Sequence, residues 1–229
     1  MKPAGGGGVF TSSAATWAPL FTALVVLAVA IAVISPQPAG VFWDDGVYLV
    51  SARSLAHGEG YQFSNLPGSP GAVHFPPLWP ALLSIVWRIA PDFPANMNWF
   101  RMLNPFLAAV GAGLACAYAI RILRLPPVVA AVATAAFALL LPVLVLASVL
   151  FAEPLFFCLA IVALFATDRA TRSGGWQAAL AAGIIVGLAT LVRSTGMVLI
   201  PAMGIALLLA RRNREALIAT VTAVVVLAP

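Results

Sequence analysis

The chain has 229 residues, of which 62% are hydrophobic and only 8% are charged, and its net charge is +5. A soluble domain carries roughly 25% charged residues, so this composition excludes an ordinary globular protein and indicates an integral membrane protein. The positive charge does not indicate a nucleic-acid partner, because the basic residues lie in small groups between apolar runs. Cys116 and Cys158 lie inside apolar runs, so we expect packing roles rather than a disulfide or a metal site.

The N-terminal part divides into a polar leader and a first apolar run. Residues 1–16 are Gly-rich with one lysine, which predicts a disordered leader on the cytoplasmic side. Residues 17–34 are apolar throughout and would form a helix of about 27 Å, enough for one crossing. The alternative is a cleaved signal peptide, whose apolar core is normally roughly 7–15 residues long.

The longest polar interruption, residues 36–97, is predicted to be the first extracytoplasmic loop. Within it, an acid pair predicts the start of a helix at Asp44 that runs to Ala56. A second helix is predicted from Leu78 to Ile89, after two prolines. This second helix spans only about 18 Å against a hydrocarbon core of about 30 Å, and a crossing here would place the later basic clusters outside. It is therefore expected to lie along the membrane surface, as is the helix that begins at Asp44.

The rest of the chain predicts a bundle of crossing helices. The expected spans are residues 98–120, 126–150, 154–167, 176–192 and 196–210, and one beginning near Ala216. Alternation places most of the basic residues on one side: Lys2, Arg121, Arg124, Arg169, Arg172, Arg211, Arg212 and Arg214. The positive-inside rule makes that side the cytoplasm. We expect one membrane domain over residues 17–229 that is incomplete at its C-terminal end, because the last apolar run is short.

This topology brings a set of polar residues to the extracytoplasmic level, at helix ends or in the first loop. They are Asp44, Asp45, His57, His74, Arg101, Glu153 and Arg193. Polar groups at such a boundary can line one cavity between the loop and the helix ends.

Each of these residues has a structural interpretation beside a functional one. The acid pair could stabilise a helix start, or could supply a general base or a metal ligand. Arg101 and Arg193 could extend to the lipid headgroups, or could bind the oxygens of a phosphate. His74 could be an exposed loop residue, or could be aimed by the Pro76-Pro77 turn that follows. Glu153 could stabilise the start of a helix, or could face the cavity.

Four stretches of the sequence carry a family resemblance: WDDGVYLVSARSLAHGEGY, HFPPLWPALLSIVWRI, FAEPLFFCLAIVALF and GLATLVRSTGMVLIP. In this order they resemble the N-terminal half of membrane glycosyltransferases of the GT-C fold. The resemblance is to the bacterial branch related to protein O-mannosyltransferases and to the lipid A aminoarabinose transferase. It covers roughly residues 17–210 and implies an all-α, polytopic helix bundle with two interfacial helices in the first extracytoplasmic loop.

The resemblance also implies an activity and roles for particular residues. Members transfer a sugar, with inversion, from a polyprenyl-phosphate carrier to a lipid, glycan or protein acceptor. Asp44 matches the likely base of the family, and Asp45 stands where relatives more often have Glu. Arg101 and His74 match basic groups near the carrier phosphate, and Glu153 and Arg193 lie in the matched stretches.

The prediction is therefore an inverting glycosyltransferase of the inner (plasma) membrane with a cytoplasmic N-terminus. No cofactor is predicted, although a divalent cation could take part. A transporter or lipid flippase, and an inactive truncated fragment, are the alternatives. A transporter should show polar or broken spans near the midplane, whereas these spans are mostly Ala, Leu and Val.

Overall fold

The computed structural model describes residues 11–34, 36 and 39–228. Over this part of the chain the fold is all-helical, apart from an isolated bridge between Gln62 and Gly71. The helices are α1 (Thr11–Ala32), α2 (Asp44–Ala56), α3 (Leu78–Ile89), α4 (Met97–Arg121), α5 (Pro127–Ala138), α6 (Leu141–Ser148), α7 (Glu153–Ser173), α8 (Trp176–Val192), α9 (Leu199–Leu209) and α10 (Asn213–Leu227). A short 3-10 turn, Ser194–Val198, joins α8 to α9. The predicted all-α membrane fold is confirmed.

Three of the described helices are long and apolar enough to cross a bilayer, namely α1, α4 and α7. A fourth crossing is formed by α5 and α6 if the two helices are counted as one bent span. The helices α8 and α9 are apolar but shorter. The two predicted loop helices, α2 and α3, have the bounds that the sequence indicated.

Two sequence predictions are corrected. The expected leader, residues 1–16, does not extend to Thr16, because α1 already begins at Thr11; residues 1–10 lie outside the described part. The expected single span over residues 126–150 is two helices that meet at an angle of 67°. The break falls directly before Pro142, which lies in the first turn of α6, where a missing N–H and a fixed φ are tolerated.

The bundle is built from helices that contact one another in sequence. α1 packs on α4 and α5, α4 packs on α7, α7 packs on α8, and α8 packs on α10. The contact between α8 and α10 is close because two glycines face it. A Cβ on Gly187 would lie 2.6 Å from the Cβ of Val226, so the two backbones approach as in small-residue membrane interfaces.

A buried apolar cluster joins the loop helices to one end of the bundle. It contains Tyr48 of α2, Trp79 and Trp87 of α3, Phe100 at the start of α4, and Val192 at the end of α8. We call this end of the bundle the loop end. The other end contains the junctions between α4 and α5, α7 and α8, and α9 and α10, where most of the arginines lie.

Candidate active site at the loop end of the bundle

The acid pair stands directly after a strained turn. Trp43 has φ 65° and ψ −65°, and the N–H of Asp44 donates to the carbonyl of Phe42 at 2.8 Å, which defines a γ-turn. The carboxylate of Asp45 is buried and accepts two backbone N–H groups, from Gly40 at 2.8 Å and from Phe42 at 3.2 Å. Asp45 therefore holds the turn that precedes α2.

Asp44 has a different environment from its neighbour. Its carboxylate is half-buried and forms no hydrogen bond or ion pair with the described residues. Adjacent helical residues point about 100° apart, so Asp44 and Asp45 face different sides of α2. Tyr48, four residues after Asp44, lies on the same face as Asp44. Of the two acids, Asp44 is the one with its oxygens available for another group.

Tyr48 shows that several of the candidate charges lie in one region. Burial is the largest cause of a raised pKa at Tyr48; the negative charges of Asp44 and Glu153 add to the rise and Arg193 opposes it, which together give a pKa of about 12. At neutral pH the phenol therefore keeps its proton. The same three charged residues act on this one group, so Asp44, Glu153 and Arg193 all lie within electrostatic range of Tyr48.

Glu153 and Arg193 form an ion pair. The sequence predicted that both residues lie at the same level of the membrane, but not that they are in contact. Glu153 is the first residue of α7, and Arg193 directly follows α8. One carboxylate oxygen of Glu153 contacts Nη1 of Arg193, and both side chains are about one-third exposed (30% and 33%). The second oxygen of Glu153 is buried without a hydrogen-bond partner among the described residues. The ion pair places the start of α7 and the end of α8 at the same end of the bundle.

Arg101 lies at this end as well. Its guanidinium donates to the carbonyl of Pro36 at 3.3 Å, so it contacts the connection between α1 and α2. Three residues later, the side-chain amide of Asn104 donates to the carbonyls of Val149 and Phe151. These bonds link the first turns of α4 to the segment that precedes Glu153.

His74 is placed in a neighbouring cavity of about 420 Å³, together with Trp43, Asn65 and residues of α2. The ring of the next residue, Phe75, packs edge-on against Tyr48 with centroids 5.8 Å apart. The hydroxyl of Tyr61 donates to the carbonyl of Phe75 at 2.9 Å, and burial raises the pKa of this phenol. The structure therefore places His74 beside the group around Tyr48, in a cavity of its own.

An apolar cavity of about 390 Å³ begins at the same ion pair and extends between the helices. It is lined by small and aromatic side chains of α4, α5, α6 and α7: Ala108, Ala112, Ala115, Ala133, Thr134, Phe137, Ala138, Val143, Leu146, Pro154, Phe156 and Phe157. Glu153 is the one charged residue in the described lining. The apolar cavity thus meets the ion pair of Glu153 and Arg193 at one of its lining residues, Glu153.

The described residues contain no group of three or more His, Cys, Asp or Glu side chains that could hold a metal ion. The acid pair supplies only two such side chains, and the carboxylate of Asp45 accepts two backbone N–H bonds.

These features define the class of protein: a polytopic helical membrane protein with a charged site where an apolar cavity meets the loop helices. Residues 74–229, more than half of the chain, match the sequence model of the dolichyl-phosphate-mannose-protein mannosyltransferase family. The chain belongs to this family and is a mannosyltransferase-like membrane glycosyltransferase of the GT-C type. No curated protein and no solved structure matches it. The match includes His74, Arg101, Glu153 and Arg193 but begins after the acid pair.

Sequence reasoning missed two residues of this region. Tyr48 was not predicted to lie in this region, although its position one turn after Asp44 is a usable signal. Asn104 was not singled out, although an amide inside an apolar span is a functional signal in membrane proteins.

Proposed function

We propose that this chain transfers a sugar from a polyprenyl-phosphate carrier to an acceptor at the extracytoplasmic membrane face, with inversion at the anomeric carbon. The proposal follows the bacterial branch of the family. In this scheme Asp44 is the general base, and Arg193 and Arg101 bind the carrier phosphate. Asp45 positions the base without touching the reacting atoms.

One observation supports this proposal above the others. Glu153 belongs both to the ion pair with Arg193 and to the lining of the apolar cavity. A lipid-linked sugar phosphate needs an apolar slot for its chain, a cation for its phosphate and a base near the sugar. The cavity, Arg193 and Asp44 would supply these three features; in support, Arg193 and Asp44 both act electrostatically on Tyr48, and the ion pair of Arg193 includes the cavity residue Glu153.

The chemical step needs a proton acceptor and a cation. The carboxylate of Asp44 takes the proton of the acceptor hydroxyl while the oxygen of that hydroxyl forms a bond to the anomeric carbon. The bond from that carbon to the phosphate oxygen breaks, and its electron pair leaves with the polyprenyl phosphate. Placed base catalysis contributes about 10²–10⁴-fold to such a rate.

The leaving phosphate gains one negative charge during this step, so a nearby guanidinium stabilises the transition state more than the ground state. Among its contacts with described residues, Arg193 uses Nη1 for Glu153. Its other guanidinium N–H groups can turn toward a phosphate. The pairing with Glu153 would hold the guanidinium in place before the substrate binds.

The orientation in the membrane is part of the proposal. The arginines of the end opposite the loop end support a cytoplasmic location for that end by the positive-inside rule. The loop end would then face outward from the plasma membrane, with the N-terminus in the cytoplasm.

The test is transfer by membranes that contain the full chain. The membranes are incubated with radiolabelled polyprenyl-phosphate mannose and a total membrane extract as the source of acceptors, and the labelled product is separated from the donor. We expect transfer by the native chain, and a decrease of about 10²–10⁴-fold for Asp44→Asn at an unchanged amount of folded protein.

The matched control is Glu59→Gln, which removes an exposed carboxylate from the same loop. This variant should transfer the label like the native chain. Movement of the labelled donor across the bilayer without transfer would instead support the transporter alternative. Near-native transfer by Asp44→Asn would reject Asp44 as the base.

A further inference from the structure

A second polar cavity, of about 610 Å³, lies on the other side of α2 from the proposed base. It is lined by α2, α3 and the segment that follows α3: Ala39, Gly46, Leu49, Val50, Arg53, His57, Trp87, Pro91, Asp92 and Phe93. Asp44 and Arg53 are nine positions apart, about 2.5 helical turns, so they point to opposite faces of α2. We call this the Arg53 cavity. Its volume lies within the range of about 300–1,000 Å³ that small-molecule sites occupy.

The floor of the Arg53 cavity is held in place by packing. The indole N–H of Trp87 donates to the carbonyl of Leu49 at 3.2 Å, across the contact between α2 and α3. Phe93 stacks on Trp87 with centroids 6.0 Å apart and planes at 30°, and the guanidinium of Arg53 lies 5.9 Å from the Trp87 ring. The aromatic floor is therefore held in place by packing, and the guanidinium of Arg53 lies over it.

The polar side chains at the rim of the cavity form no hydrogen bonds or ion pairs with other described residues. The side chains of Arg53, His57 and Asp92 are exposed and form no hydrogen bond or ion pair with the described residues. Together they offer cationic donors and a carboxylate acceptor. The ring of Phe93 is 59% exposed beside them and offers an apolar face.

We propose that the Arg53 cavity binds a saccharide, the glycan part of the acceptor for the transfer. A pyranose ring packs its apolar C–H face on an aromatic ring, and its hydroxyl groups both donate to carboxylates and accept from guanidinium and imidazole groups. An anion alone fits less well, because the carboxylate of Asp92 would repel it. The identity of the saccharide as an acceptor rests on the proposed function, whereas saccharide binding itself does not.

Binding is tested on the purified full chain in lipid nanodiscs by saturation-transfer-difference NMR. The probes are neutral manno-, gluco-, galacto- and N-acetylglucosamine trisaccharides, with inorganic phosphate as a competitor. We expect saturable binding of at least one trisaccharide that phosphate does not displace. Asp92→Ala and Phe93→Ala should each weaken it by at least about tenfold. Both changes are at exposed side chains, so both variants should stay folded.

The controls separate this inference from the proposed function. Glu59→Ala should bind the trisaccharide like the native chain, since Glu59 does not line the Arg53 cavity. Trisaccharide binding that persists when transfer is absent would uphold the cavity and reject the catalytic proposal. No binding across the four trisaccharides, displacement by phosphate, or binding that both cavity variants leave unchanged would overturn the saccharide site.

Discussion

Replacing Asp45 with alanine tests whether the second acid positions the first or takes part in the chemistry. Asp45 accepts N–H bonds from Gly40 and Phe42, and these bonds hold Trp43 at φ 65° and ψ −65°. The geometry therefore predicts a loss of stability for Asp45→Ala. It predicts no such loss for Asp44→Asn, whose carboxylate has no hydrogen bond or ion pair within the described part of the chain.

The size of the effect follows from the two bonds and the turn. Hydrogen bonds to a charged acceptor contribute about 1.5–3 kcal/mol each, so their loss removes roughly 3–6 kcal/mol. Because Asp45 is only 3% exposed, water screens these bonds little. Relaxation of the turn recovers roughly 1–3 kcal/mol of strain, so the midpoints of the two ranges leave a net loss of roughly 2.5 kcal/mol. For a chain of this size such a loss lowers Tm by roughly 5–10 °C.

The assay compares the two acid variants in the same detergent, by thermal unfolding and by transfer of the labelled sugar. We expect Asp45→Ala to lose both stability and transfer, because Asp44 is no longer held beside Tyr48. We expect Asp44→Asn to lose transfer and keep the native Tm. If Asp45→Ala abolishes transfer while its Tm stays within about 1 °C of the native value, the positioning role is refuted.

Three further predictions concern the same region. Trp43→Gly removes an exposed side chain at a positive φ, whereas the control Trp99→Gly places a glycine inside α4. The Trp43→Gly variant should therefore be about 2 kcal/mol more stable than the Trp99→Gly variant in thermal unfolding. Arg193→Gln should lower Tm more than the double variant with Glu153→Gln, because it leaves a carboxylate without its cation; equal values would show that the pair is uncoupled. Gly196→Ala should reduce transfer, since its Cβ would lie 2.7 Å from the backbone of α8 and displace the turn after Arg193; native transfer rates would contradict this.

Much of the helical frame could be predicted from local signals. The acids at the start of α2 and the prolines before α3 determined bounds that the structure reproduces, and the apolar run over residues 176–192 coincides with α8. The break between α5 and α6 was missed because Pro142 is compatible with the first turn of a helix, and hydropathy alone continues across it. Hydropathy reports burial in lipid and carries little information about the direction of an axis.

The candidate site was predicted in part. Counting helices across the membrane placed Glu153 and Arg193 at one level, and the structure brings them into contact. The same counting could not separate the environments of Asp44 and Asp45, because the partners of Asp45 are backbone groups in the preceding turn. Nor could it show that Arg53 and His57 line a cavity with aromatic residues from α3 and the segment after it.

The bend between α5 and α6 bears on how a long isoprenoid could be handled. The two helices meet at 67° beside the apolar cavity, so the wall of that cavity is an elbow rather than a straight rod. With a volume of about 390 Å³, the cavity has room for only the first units of such a chain. The remainder would extend into the surrounding lipid without contacting the protein. Under the proposed function, donors with short and long isoprenoid tails should therefore give about equal rates of transfer.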